Sequence, residues 1–183
     1  MSVIDANQGE CQVFTFKEGL LSPMAHDIKL QLDRWSLTHD PEARTLSGTF
    51  DPASVRVVCA RKNGADSPGT LSSGDMRKIQ KTIQNDVLKT RRFGEIRFAG
   101  HYVATDGEPA GSGFTVEGEL TLAGRTCPIT AVVTLAGDQL VATARIHQPD
   151  FGIKPYSAMF GALKVQAAVE VRVAVPAAVG RTQ

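Results

Sequence analysis

The sequence has no stretch approaching the roughly 18 consecutive apolar residues that a membrane-spanning helix needs, and its opening, MSVIDANQGE, holds neither a basic nor an apolar segment. Stable membrane insertion and a secretory leader are therefore not expected, and a cytoplasmic location is. Cysteine is scarce: Cys11, Cys59 and Cys127 lie far apart, odd in number and without a CxxC, which argues against a disulfide framework or a zinc site and for reduced thiols. Charge of one sign is lacking too. A net charge of +1 and a pI near 7.8 give no case for a nucleic-acid partner. His26, His39, His101 and His147 are scattered, with no HxH or HExxH spacing, and there is no GxSxG, no paired-acid spacing and no P-loop. Ser22, Ser36 and Cys59 have no visible activating partner. Neither a resident metal, nor a cofactor, nor enzymatic activity is expected.

What the sequence does have is alternation. From Val165 to Val175 every second residue is Val or Ala, while Gln166, Glu170 and Arg172 stand between them, the pattern of a strand with one apolar face. The same period of two runs through Cys11–Lys17, His26–Leu37, Arg44–Phe50, Val55–Ala60, Glu95–Val103, Phe114–Leu122, Pro128–Leu135 and Leu140–His147. Residues 61–71, with two glycines and a proline, read as a surface loop. Only one segment changes period. Met76, Ile79, Ile83 and Val87 recur at three and four residues, an amphipathic helix over about residues 73–89, with Ser72 or Ser73 as cap and Asp75 in its first turn. Strands at this spacing with one inserted helix predict an all-β chain: a single antiparallel β-barrel of about eight strands, closed so that no edge is exposed. One domain spans residues 1–183, its core running from about 12 to 175 between short flexible termini.

Four motifs carry a resemblance. They are Ala25-His26-Asp27 opening a long strand that ends in Arg34-Trp35; Arg92-Phe93-Gly94-Glu95-Ile96-Arg97-Phe98; Gly118-Glu119-Leu120-Thr121-Leu122-Ala123-Gly124; and Asp150-Phe151-Gly152-Ile153, extended through KPYSAMFGALK. In this order and spacing the chain resembles the YceI-like family of lipocalin-like barrels, and without a leader it looks like a cytoplasmic branch. The resemblance implies an elongated apolar interior for an isoprenoid or related lipid.

The inward positions Ile28, Leu30, Leu32, Phe98, Phe114, Val116, Leu120, Val169 and Val171 would line such an interior, or would fill it; barrels of eight strands do either. A second feature is local charge. From Asp75 to Arg92 six bases (Arg77, Lys78, Lys81, Lys89, Arg91, Arg92) meet two acids (Asp75, Asp86). This is a solvated helix face, or a site for an anionic head group or membrane surface. His26, Arg91, Arg92, Lys154 and Tyr156 are the candidates for a rim or head-group site. The expected function is non-enzymatic binding or carriage of an amphiphilic apolar small molecule of polyprenyl or fatty-acyl type, with a homodimer left open. The alternative is a stress-linked structural or interaction protein with a filled core. All three cysteines should react with a thiol reagent after denaturation without reductant; fewer than three free thiols would reveal an oxidised pair.

Overall fold

The computed structural model describes residues 1–18, 26–103, 113–158 and 163–180. Ala25 of the first motif, Ser22 and residues 159–162 of the fourth motif lie outside them. Fourteen strands appear among the described residues: β1 (Ser2–Asp5), β2 (Glu10–Thr15), β3 (Asp27–Leu32), β4 (Trp35–Asp40), β5 (Thr45–Phe50), β6 (Val55–Lys62), β7 (Ala65–Ser67), β8 (Ile96–Val103), β9 (Phe114–Leu122), β10 (Arg125–Ala136), β11 (Gln139–His147), β12 (Ser157–Ala158), β13 (Leu163–Lys164) and β14 (Ala168–Pro176). Twelve form one curled antiparallel sheet in the order β1-β4-β5-β8-β9-β10-β11-β14-β2-β3-β6-β7, and β12 pairs with β13 apart from it. The all-β architecture with one helix agrees with the sequence; the strand count and full closure do not. The sheet is a half-barrel of twelve strands, and its edge strands β1 and β7 are not hydrogen-bonded to each other.

The curl follows from two short connections. Strand β3 stands tenth in the sheet and β4 second, yet only Asp33 and Arg34 join them. Three Cα steps reach at most about 11 Å, so the two ends of the sheet must meet here. Residues 51–54 make the same crossing from β5, third, to β6, eleventh. The two crossings are tied together. Ser54 Oγ accepts from the Arg34 amide (3.0 Å) and donates to the Asp51 carbonyl (2.7 Å), and the Asp51 amide donates to the Arg34 carbonyl. Arg34 pairs with Asp51, and Arg56 with Asp33. Both ion pairs are solvent-exposed, so each contributes under about 1 kcal/mol; the buried hydroxyl is the stronger tie. This corner overturns the single strand expected over His26–Leu37. Inward residues are even-numbered in β3 (Ile28, Leu30, Leu32) and odd-numbered in β4 (Trp35, Leu37, His39), and a continuous strand without a bulge cannot change parity.

Curvature also needs strands to approach closely. Gly100 and Gly118 are directly paired on the inner face of β8 and β9, and a Cβ on Gly118 would come 2.5 Å from the Gly100 Cα. The Phe98 ring lies over Gly100 instead, so glycine here exchanges a side chain for a bend.

The helix is shorter than expected. It runs over α1 (Ser73–Thr82) and continues as one π-turn over Ile83–Val87, rather than reaching residue 89. Ser72 caps it, and Ser72 and Asp75 form a reciprocal capping box. No helix among the described residues is long and apolar enough to cross a membrane.

Three more elements differ from expectation. The N-terminus is not a free tail, since β1 pairs with β4 from Ser2↔His39 to Asp5↔Ser36. The loop expected over 61–71 contains β7, returned by a turn in which Asn63 and Gly64 both have positive φ, the conformation an Asn-Gly hairpin requires. The closing strand begins at Ala168 rather than Val165, and it is half-buried on both faces, only Ala174 being fully buried.

Replacing Ser54 by Ala should cost about 1–2 kcal/mol in urea unfolding, because it removes two hydrogen bonds to partly buried backbone groups. Asp33→Asn, at an exposed pair, should cost under about 1 kcal/mol. Equal losses would show that the corner is not held through Ser54.

Candidate functional site

The curl gives the molecule an inside, and that inside is divided. One buried cluster joins Ile4, Cys11, Ile28, Leu30, Leu32, Trp35, Leu37, Val55, Val57 and Ala60. A second joins Phe98, Val116, Leu120, Leu122, Val133, Ile146, Phe151 and Ile153. Four side chains pack against both: Leu46, Phe50, Leu88 and Val171, and each is only half-buried. They form a seam through the interior. On the first cluster's side the seam continues through Val13, Val173, Met76, Ile79 and Ile83, and on the second's through Tyr102, Phe114, Leu140 and Val169. The inner face of α1 thus covers this interior, and Gln84 Nε2 fixes the helix by donating to the carbonyls of Ala53 and Val55 beside the corner.

The candidate lining residues therefore do not form one set. Ile28, Leu30 and Leu32 are buried in the first cluster; Phe98, Val116 and Leu120 are buried in the second. Phe114 and Val169 are half-buried against the second, and Val171 spans both. Phe151 and Ile153, which the sequence offered only as part of a motif, are core residues, carried inward by the 3-10 turn Gln148–Phe151 and by Gly152 at φ 71°.

The interior is electrically neutral. His39, Tyr102 and Phe114 stand in an edge-to-face row, with ring centroids 5.4 and 5.2 Å apart. Burial holds His39 below its usual imidazole range, helped by the N-terminal ammonium and opposed by Asp40. Burial also pushes the Tyr102 phenol and the Cys11 thiol up to about 12, so both stay protonated.

The rim candidates scatter. His26 is half-buried just before β3. Arg91 and Arg92 are exposed in the turn after the helix, the Arg92 guanidinium 5.1 Å above the Phe93 ring. Lys154 and Tyr156 line an open cleft of about 480 Å³ with Asp86 and Val87. A neighbouring cleft of about 430 Å³ on the outer side of α1 is lined by Arg77, Lys78 and Lys81. Both clefts lie outside the apolar interior. Among the described residues, none of the six bases from Arg77 to Arg92 makes an ion pair, whereas Lys29, Arg34, Arg56, Arg61, Arg97 and Lys164 do. His147 and Asp150, 2.9 Å apart, sit on the surface.

The YceI-like domain matches residues 4–177 of this chain. Among solved structures, BcnA from Burkholderia cenocepacia is similar at a TM-score of 0.60 and 15% identity, over 94% of this chain and 98% of that one. A polyisoprenoid-binding domain from Saccharophagus degradans, implicated in plant cell wall breakdown, is similar at 0.57 and 12% identity, over 95% of each chain. No curated protein matches the sequence.

Because His39 takes up a proton at lower pH folded than unfolded, its contribution is complete above the unfolded pKa and is lost as pH falls through the folded one. The urea midpoint should therefore be lower at about pH 5.5 than at about pH 7.5, and His39→Gln should narrow that gap. An unchanged gap would assign the acid sensitivity elsewhere.

Proposed function

This chain belongs to the YceI-like family, and on that premise we propose that it binds or carries an amphiphilic apolar small molecule, of polyprenyl or fatty-acyl type, without chemistry. The observation that carries this is the seam. In a filled core, inward aliphatic side chains bury almost completely. Here Phe50, Leu46, Leu88 and Val171 lie between two buried clusters and are only partly buried. A slot of that kind suits a long, thin, apolar guest. The neighbour from Saccharophagus degradans, described as polyisoprenoid-binding, supports the same class of ligand.

The energetics suffice. Covering about 300 Å² of apolar ligand surface at about 25 cal/mol per Å² contributes about 7 kcal/mol before the costs of association. A charged head group buried among these apolar side chains would lose its hydration uncompensated, so it would stay outside the seam, near the bases of the helix and the following turn, Arg91 and Arg92 among them, which make no ion pair among the described residues.

Filling the seam tests this directly. Val171→Phe should leave unfolding stability within about 1 kcal/mol, since a partly buried position accepts the larger side chain, while uptake of a fluorescent polyprenyl or fatty-acyl probe falls at least about tenfold. Leu120→Trp, inside the dense second cluster, should instead cost about 1–3 kcal/mol by overpacking. Wild type that takes up no probe, with Val171→Phe as damaging as Leu120→Trp, would favour the filled-core structural protein.

A further inference from the structure

Charge is unevenly spread over this protein. Residues 75–92 carry six bases and two acids, a local charge of +4, while the whole chain carries +1. The remainder holds fourteen bases against seventeen acids, a charge of −3. All six bases of the segment, Arg77, Lys78, Lys81, Lys89, Arg91 and Arg92, are exposed, and none makes an ion pair among the described residues. Arg77, Lys78 and Lys81 share the outer side of α1, where they line one cleft together with Asp86. Asp75, the other acid, is engaged at the helix start by Ser72. Beyond the helix a tight turn holds the other three bases together, the Lys89 carbonyl accepting from the amides of Arg92 and Phe93. A seventh base joins them from a distant part of the chain. The Phe93 ring lies against Gly124, where a Cβ would come 2.7 Å from it. The next residue is Arg125, exposed, its guanidinium resting against Gly152.

We propose that the outer side of α1 and the turn behind it form a docking surface for an anionic lipid bilayer. Clusters of about four to eight Lys and Arg on a helix are drawn to anionic leaflets. The opposite charge of the remainder orients the contact, because a negative surface attracts this face and repels the rest. The apolar stripe of α1, Met76, Ile79 and Ile83, packs inward on the first cluster. No apolar side of the helix is left to enter the acyl layer, so the contact is electrostatic and screened by salt. A nucleic acid is the competing polyanion. Proteins that hold single strands stack bases on exposed aromatic rings, and the ring within this turn, Phe93, is half-buried with the Arg92 guanidinium above it. The choice of a bilayer also rests on the proposed function, since an apolar guest is drawn from lipid and returned to it. One side of α1 covers the interior, so docking by the other puts a single helix between that interior and the membrane.

Co-sedimentation with vesicles tests this without any guest. At low salt, wild type should bind vesicles in which about one lipid in four is phosphatidylglycerol at least about tenfold more tightly than vesicles of phosphatidylcholine alone. At about 1 M salt that preference should vanish. The triple variant Arg77→Gln, Lys78→Gln, Lys81→Gln strips the outer side of α1 and spares its inner stripe, and should weaken binding to the anionic vesicles at least about tenfold. Removing the same charge elsewhere, by Arg44→Gln, Arg145→Gln and Arg172→Gln, should change it by less than about twofold. The lipid and salt dependence of wild type needs no variant to fold. Equal wild-type binding to both kinds of vesicle, equal losses in the two triple variants, or tighter binding of a single-stranded oligonucleotide than of anionic vesicles at equal phosphate concentration would each overturn the docking surface. Uptake of an apolar probe in solution is a separate measurement. Lost vesicle binding with uptake intact removes the docking surface alone, whereas vesicle binding without uptake removes the guest and leaves the docking surface standing.

Discussion

The interior exists because two crossings, Asp33–Arg34 and residues 51–54, bring the ends of a twelve-stranded sheet together. A twisted sheet of that width tends to curl, but hydrogen bonding along its edges does not close this one. The chain itself does, at one corner, and Ser54 locks the two crossings with a buried hydroxyl that serves Arg34 and Asp51 at once. Much else follows from the corner. It turns Trp35 inward so that its ring spans to Gly9 and β14. It brings β4 and β5 opposite β2 and β14, so that Phe50 and Val171 touch the same two clusters. On the far wall Gly100 and Gly118 allow the close approach that such a bend demands.

A corner closed covalently leaves the remaining open side to be covered by something else, and the helix does this. Its inner stripe of Met76, Ile79 and Ile83 packs on the first cluster, and Leu88 beyond it reaches both. Tertiary contact must supply most of its stability, because ten α-helical residues are too few to hold a helix alone in water. The Ser72–Asp75 capping box fixes where it starts, and Gln84 fastens its end to the carbonyls beside the corner. Its bases, on the outer side, make no ion pair among the described residues. The same element therefore separates a neutral apolar interior from a cationic exterior.

Much of this was legible in the sequence, for reasons that can be named. Strand β9 runs over Phe114–Leu122 as its alternation demands, because one face meets the core and the other water. The helix was legible from its change of period. The corner was missed although its signal is present: Leu32 and Trp35, both inward, are an odd number of residues apart, which a single strand allows only through a bulge. Strand β7 was missed although Asn63-Gly64 is a hairpin signal. Strand β1 gave no comparable sign, because four residues with one buried side chain carry too little pattern. For the site, apolar type and inward direction could be read for Ile28, Leu120 or Val171. Their division into two clusters with a seam between them could not, since it depends on which wall each strand faces after the sheet has curled.

The seam has a thermodynamic consequence. Side chains there forgo part of the burial that a filled core would provide, which is a cost to the folded state. The two clusters and the corner offset it. Under the proposed function a guest chain would recover part of that cost by covering apolar surface that the fold leaves accessible. Apolar contact is non-directional and grows with area, so such a site would select a chain by its girth and length rather than by the identity of any one group along it.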